Sequence, residues 1–117
     1  MLTSKEIAHL AVKALDDKLA RDIQILKTDK VTVLADYFIL CTAGNSTHGK
    51  TLADEVDKVL SQAGKQPLRR EGYRSGGWTL LDFGCVVVHI FSEEMRSFYS
   101  LDRLWSDAEK IDYKDFL

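Results

Sequence analysis

The stretch WTLLDFGCVVVHIF, Trp78 to Phe91, decides how this chain is read. Two runs of strand-forming residues flank Phe83-Gly84-Cys85, and Gly84 marks the turn of a β-hairpin. With Gly84 and Cys85 as a two-residue loop, Asp82 stands opposite Val87, and the alternation of side chains across a strand gives both faces. One face carries Thr79, Leu81, Phe83, Val86, Val88 and Ile90 and is almost wholly apolar. The other carries Trp78, Leu80, Asp82, Val87, His89 and Phe91. The first is a core face. The second holds a tryptophan, an acid and a histidine, and burial alone does not account for it.

Outward from the hairpin, the rest of the chain alternates helices and strands. Thr3-Ser4-Lys5-Glu6 has the form of a capping box, and Ile7, Leu10, Ala11, Ala14 and Leu15 follow as an amphipathic helical stripe, with His9 off it. Asp22 to Lys27 reads as a first strand, with Thr28-Asp29-Lys30 as its turn, while Val31 to Ala35 fits either strand or loop. Tyr37 to Cys41 is a continuous apolar run, as expected of a central strand covered on both faces. Asn45 or Ser46 caps a second helix that buries Leu52, Val56, Val59, Leu60 and Ala63, and Gly64 ends it as a left-handed residue. A strand from Leu68 to Tyr73, entered through Pro67, completes a βαβ crossover and is expected to lie parallel to the second strand. After the Arg74-to-Gly77 loop and the hairpin, Ser92 caps a short helix with Glu93 and Glu94 in its first turn. A final helical stripe runs through Met95, Phe98, Leu101 or Leu104, and Trp105. The expectation is one α/β domain (mixed α+β) over residues 1–117, a mixed five-stranded sheet flanked by helices.

A net charge of −2 over 117 residues offers no general attraction to nucleic acid. No apolar run approaches the roughly 20 residues of a membrane span, and MLTSKEIAHL lacks the apolar centre of a signal peptide, so a cytoplasmic location is expected. Cys41 in a strand and Cys85 at a turn form no CxxC pattern and read as a buried thiol and a small turn residue.

Little in the sequence has the pattern of a catalytic site. Asp82 and His89 are diagonal neighbours on the second hairpin face, but a base with one orienting partner and no apparent third member is more often structural. His9, His48 and His89 lie on separate elements without metal-ligand spacing, so no metal and no cofactor is expected. Gly44-Asn45-Ser46 before a helix can seat a phosphate and loosely matches the entry of nucleotidyltransferases. No carboxylate pair follows to hold magnesium: Glu71 is alone in its strand, and Asp82 has Gly84 two residues on. Lys65, Arg69, Arg70 and Arg74 form the one basic cluster, a minor contact to phosphates or a charged sheet edge. The acidic stretch Asp102 to Asp115 reads as a solvated tail. The aromatics Trp78, Phe91, Phe98, Tyr99 and Trp105 exceed what a core readily takes, and aromatics of this kind anchor protein interfaces.

DYFILCTAGNS (Asp36 to Ser46), LADEV (Leu52 to Val56), EGY (Glu71 to Tyr73), the opening hairpin and RSFYSLDRLWSDA (Arg96 to Ala108) occur in that order. Together they resemble the ribosomal silencing factor family, RsfS or Iojap, over nearly the whole chain. The resemblance implies a nucleotidyltransferase-like fold without that activity. It also implies binding to the large ribosomal subunit at its protein fourteen, a block on joining of the small subunit when nutrients are short, and a homodimer when free. Carried over by position, the partner surface would include Trp78, Asp82, His89, Arg96, Tyr99 and Trp105. Trp78→Ala and Tyr99→Ala are expected to fold and to release the large subunit. A large-subunit assembly factor and a divergent nucleotidyltransferase are the runner-up readings. Two departures stand out: Cys85 where the family usually has Asp after the hairpin glycine, and Thr47-His48-Gly49 at the start of the second helix. In the interior of a helix a glycine such as Gly49 costs roughly 1 kcal/mol relative to alanine.

Overall fold

The computed structural model of the chain describes residues 2–28, 35–72, 78–98 and 109–117. Helix α1, Ser4–Asp17, begins at the capping box: Thr3 Oγ1 accepts the Glu6 N–H at 3.1 Å, and Glu6 Oε1 accepts the Thr3 N–H at 3.0 Å. Those bonds hold the Glu6 carboxyl below its ordinary range. Helix α2, Ser46–Gln62, is capped by Asn45, whose Oδ1 accepts the His48 N–H at 2.8 Å. Past its end Gly64 takes a φ of 94°, the left-handed position that glycine fills without strain. Ala63 stays exposed rather than joining the buried stripe.

Among the described residues the strands are β1 Arg21–Lys27, β2 Tyr37–Ala43, β3 Arg69–Glu71, β4 Trp78–Asp82, β5 Val86–Ser92 and β6 Glu109–Ile111. They form one six-stranded sheet in the order β3-β4-β5-β2-β1-β6. The β4–β5 register is the expected one, with Asp82 opposite Val87 and Leu80 opposite His89. β2 lies parallel to β5, and every other pairing is antiparallel.

Two expectations are corrected. The parallel partner of β2 is β5, and β3 lies at the far edge beyond β4. The composition of the strands explains the exchange. β5 is buried on both faces through Val86, Val88, Ile90, His89 and Phe91, as an interior strand must be, whereas β3 is the charged run Arg69-Arg70-Glu71, suited to an edge. The sheet also has six strands rather than five, because part of the presumed tail is structural. β6 pairs with β1, and a 3-10 turn at Tyr113–Phe116 buries Phe116 edge-on to Tyr37, ring centroids 5.7 Å apart. The acids of that segment masked Ile111, Tyr113 and Phe116, which turn inward.

The main core lies between the first sheet face and the helices. Leu81, Phe83, Val86, Val88 and Ile90 of the hairpin meet Ile39 and Cys41 of β2, Ile7, Ala11 and Leu15 of α1, and Leu52, Val56 and Leu60 of α2. On the opposite face Leu26, Leu40 and Phe91 form a second buried cluster, joined by Phe38, Trp78 and Met95. β2 therefore has packing on both faces, as its sequence demands. Ser92 Oγ accepts the Met95 N–H at 3.2 Å at the start of α3, Glu93–Phe98.

Candidate docking surface

The second sheet face is organised around His89. Its ring lies 5.2 Å from Phe38, 6.0 Å from Phe91 in a stacked arrangement, and 6.0 Å from Trp78. The indole of Trp78, half-buried, sits 5.2 Å from the ring of Phe91, and its Nε1–H donates to His89 Nδ1 at 3.2 Å. Indole nitrogen is donor only, so Nδ1 accepts and the imidazole carries its proton on Nε2. That Nε2 is buried and has no hydrogen-bond partner among the described residues. A buried donor left unpaired costs about 1–3 kcal/mol. Burial pushes the imidazole pKa down from 6.5 to about 4, the nearby Asp82 carboxylate opposing the shift, so His89 is neutral at pH 7.

Beside this cluster runs a groove of about 350 Å³ lined by Phe38, Leu68, Leu80, Val87 and His89, with Arg69 and Asp82 among its polar residues. Leu68 is 68% exposed. Neither Phe38 nor Leu68 is among the residues singled out from sequence. The signal for Phe38 lies in the parallel pairing, which sets it opposite Val87 and next to Leu40, with its side chain on the second face.

Asp82 does not join His89 in a catalytic couple. Its Oδ1 accepts the Gly84 N–H at 2.8 Å, and its Oδ2 meets Arg69 at 3.4 Å, so the carboxylate holds the hairpin turn and ties β4 to β3. Two members of the basic cluster, Arg69 and Arg70, are likewise partnered. Arg70 bridges Asp54 at 2.6 Å and Asp57 at 2.9 Å on α2, and Arg69 also reaches Glu71 at 3.3 Å. Arg74, Tyr99 and Trp105 lie outside the described residues, and Arg96 falls on α3 with its side chain outside them. Among the described residues no group of three His, Cys, Asp or Glu is placed to hold a metal ion.

At Gly44-Asn45-Ser46 the bonds are internal. His48 Nδ1 accepts the Gly44 N–H at 2.8 Å, and Nε2 donates to the Lys18 carbonyl at 2.7 Å, tying the end of α1 to the start of α2. Gly49 is buried against Ala43.

The family described as "Ribosomal silencing factor during starvation" matches the chain over residues 1–117. The chain belongs to the ribosomal silencing factor family. A family protein from Halalkalibacterium halodurans is 35% identical over 111 residues, covering 95% of each chain. One from Chromobacterium violaceum is 39% identical over 101 residues, covering 86% of this chain and 83% of the relative. A crystal structure of a Chromobacterium violaceum protein superimposes with a TM-score of 0.88 at 37% identity, over 90% of this chain and 88% of that one. A second, from Bacillus halodurans, gives 0.82 at 34% identity, over 92% and 97%. The chain shares its fold, a mixed sheet with two long helices on one face, with both of these structures. Among the described residues no helix is long and apolar enough to cross a membrane.

Proposed function

We propose that the protein silences translation in the cytoplasm by seating on the large ribosomal subunit at its protein fourteen, on the face that meets the small subunit. Occupying that face blocks subunit joining when nutrients are limiting. The observation that carries this reading is the second sheet face: a half-buried tryptophan, hydrogen-bonded to a buried histidine, beside an apolar groove. An amphipathic aromatic of this kind anchors an interface at its centre. Arg96, Tyr99 and Trp105 complete the anchor set by their place in the family pattern, and a homodimer is the form of the free protein.

Protein contacts, more than RNA, drive the association. Net charge is −2, and Arg69 and Arg70 already face carboxylates, so the contact of Lys65, Arg69, Arg70 and Arg74 with phosphates is a minor one. Nucleotidyl transfer is the weaker reading, since Asp82, the carboxylate of the hairpin, is engaged by Gly84 and Arg69.

Cosedimentation with isolated subunits tests the proposal. The protein is expected with the large subunit and not with the small. Trp78→Ala is expected to bind about thirtyfold more weakly. It should also lose some stability, because the ring packs on Phe91 as well as facing outward. Binding to the small subunit alone overturns the reading, as does magnesium-dependent nucleotide incorporation abolished by Asp82→Asn.

A further inference from the structure

We propose that His89 is a positioning residue, which fixes the indole of Trp78 in the orientation that meets the large subunit. The inference rests on the reading of Trp78 as a docking anchor. His89 is 5% exposed, too little to serve as a contact itself. In the β4–β5 register Trp78 stands opposite Phe91 and Leu80 opposite His89, so the Trp78–His89 bond crosses the pleat on the diagonal. Strand pairing alone does not enforce such a bond; it needs an acceptor aimed at the indole. Phe91 and Phe38 confine the imidazole plane, and Nδ1 is aimed at Trp78 Nε1. A phenylalanine would fit the same aromatic surroundings and remove the unpaired Nε2–H, but it would take from the Trp78 indole N–H the acceptor it has here. What the imidazole adds is the acceptor. An anchor held in its docking rotamer before encounter loses less side-chain freedom on binding.

Two measurements on the full chain test this: affinity for isolated large subunits, and hydrogen exchange at the Trp78 indole N–H. The signal is assigned between the two tryptophans through Trp78→Phe. His89→Phe is expected to speed indole exchange and weaken binding by about tenfold, mainly through faster dissociation, with no fall in melting temperature at pH 7. His89→Asn places Oδ1 near the position of Nδ1. It should recover much of the lost affinity even though its melting temperature falls. A purely packing role would rank the variants by stability, with Asn the poorer binder. That ranking overturns the proposal, as do unchanged indole exchange in His89→Phe and parental affinity in that variant while Trp78→Ala releases the subunit. If Trp78→Ala itself binds like the parent, the docking reading fails and the proposal falls with it.

Discussion

Acidification should destabilise this protein through His89 before its carboxylates begin to protonate in bulk. In the unfolded chain the imidazole titrates near 6.5; in the fold, burial lowers that to about 4. Between those values the unfolded state binds the proton and the folded state does not, so stability is full above pH 6.5 and drains away as pH falls toward 4. Among the described residues the Asp82 carboxylate on β4 eases protonation, and Arg69 lines the same groove as the ring. Each pKa unit corresponds to 1.36 kcal/mol, so the whole window is worth about 3 kcal/mol, of which about 2 kcal/mol is gone by pH 5. The ring is almost wholly buried, so solvent screening takes little from this figure. The direction follows from the geometry as well, since a proton on Nδ1 would face the indole N–H donor of Trp78. Urea unfolding from pH 7.5 to 4.5, run on the parent and on His89→Phe, isolates the effect, because all other groups titrate in both. The gap between the two proteins should change by about 2 kcal/mol between pH 7 and pH 5 in favour of the phenylalanine variant. A constant gap, or a His89 resonance titrating near 6.5 in the folded protein, refutes the reasoning.

Gly49→Ala should raise stability by about 0.5–1 kcal/mol, because the position is helical and the added Cβ would rest 3.6 Å from Ala43 Cβ, an ordinary contact; a lower melting temperature would contradict this. Phe116→Ala should cost about 3 kcal/mol in denaturant unfolding, whereas a solvated tail would give no change. Gly72→Ala should lower stability by more than about 2 kcal/mol and expose the Arg69–Glu71 amides to exchange. With φ at 77° its Cβ would fall 1.8 Å from the Trp78 carbonyl oxygen, which β4 holds in place. Parental stability in that variant would count against the observed path from β3 to β4.

The sequence is most legible where one interaction sets the geometry. The capping box of α1 and the hairpin register each follow from a few adjacent residues and are found as read, and of the two caps open to α2, Asn45 or Ser46, it is Asn45 that serves. Pairing at a distance is less legible. β2 has parallel partners open to it in both β3 and β5, and only the charge of Arg69-Arg70-Glu71 against the two-sided burial of β5 decides between them. In the tail, the acids of the segment conceal three inward residues whose partners lie on β1, β2 and α1. At the site, Trp78, Asp82 and His89 were legible as one face. Their unlike roles were not, because alternation reports the face of a residue and not whether its carboxylate serves a turn or its ring an indole.

The joining of β6 to β1 also bears on the order in which the chain can assemble. Helix α1, β1 and β2 leave the ribosome early and can pair with one another, but the outer edge of β1 waits for residues 109–111. Until then Ile25 and Leu26 sit on a strand with open backbone donors and acceptors along one side, the kind of template onto which another nascent copy can add. The closing strand comes from far along the chain, so it meets its place late and slowly compared with the neighbouring hairpin. A translational silencer of this design is therefore most vulnerable to self-association during its own synthesis, and high expression at elevated temperature is where that weakness should surface.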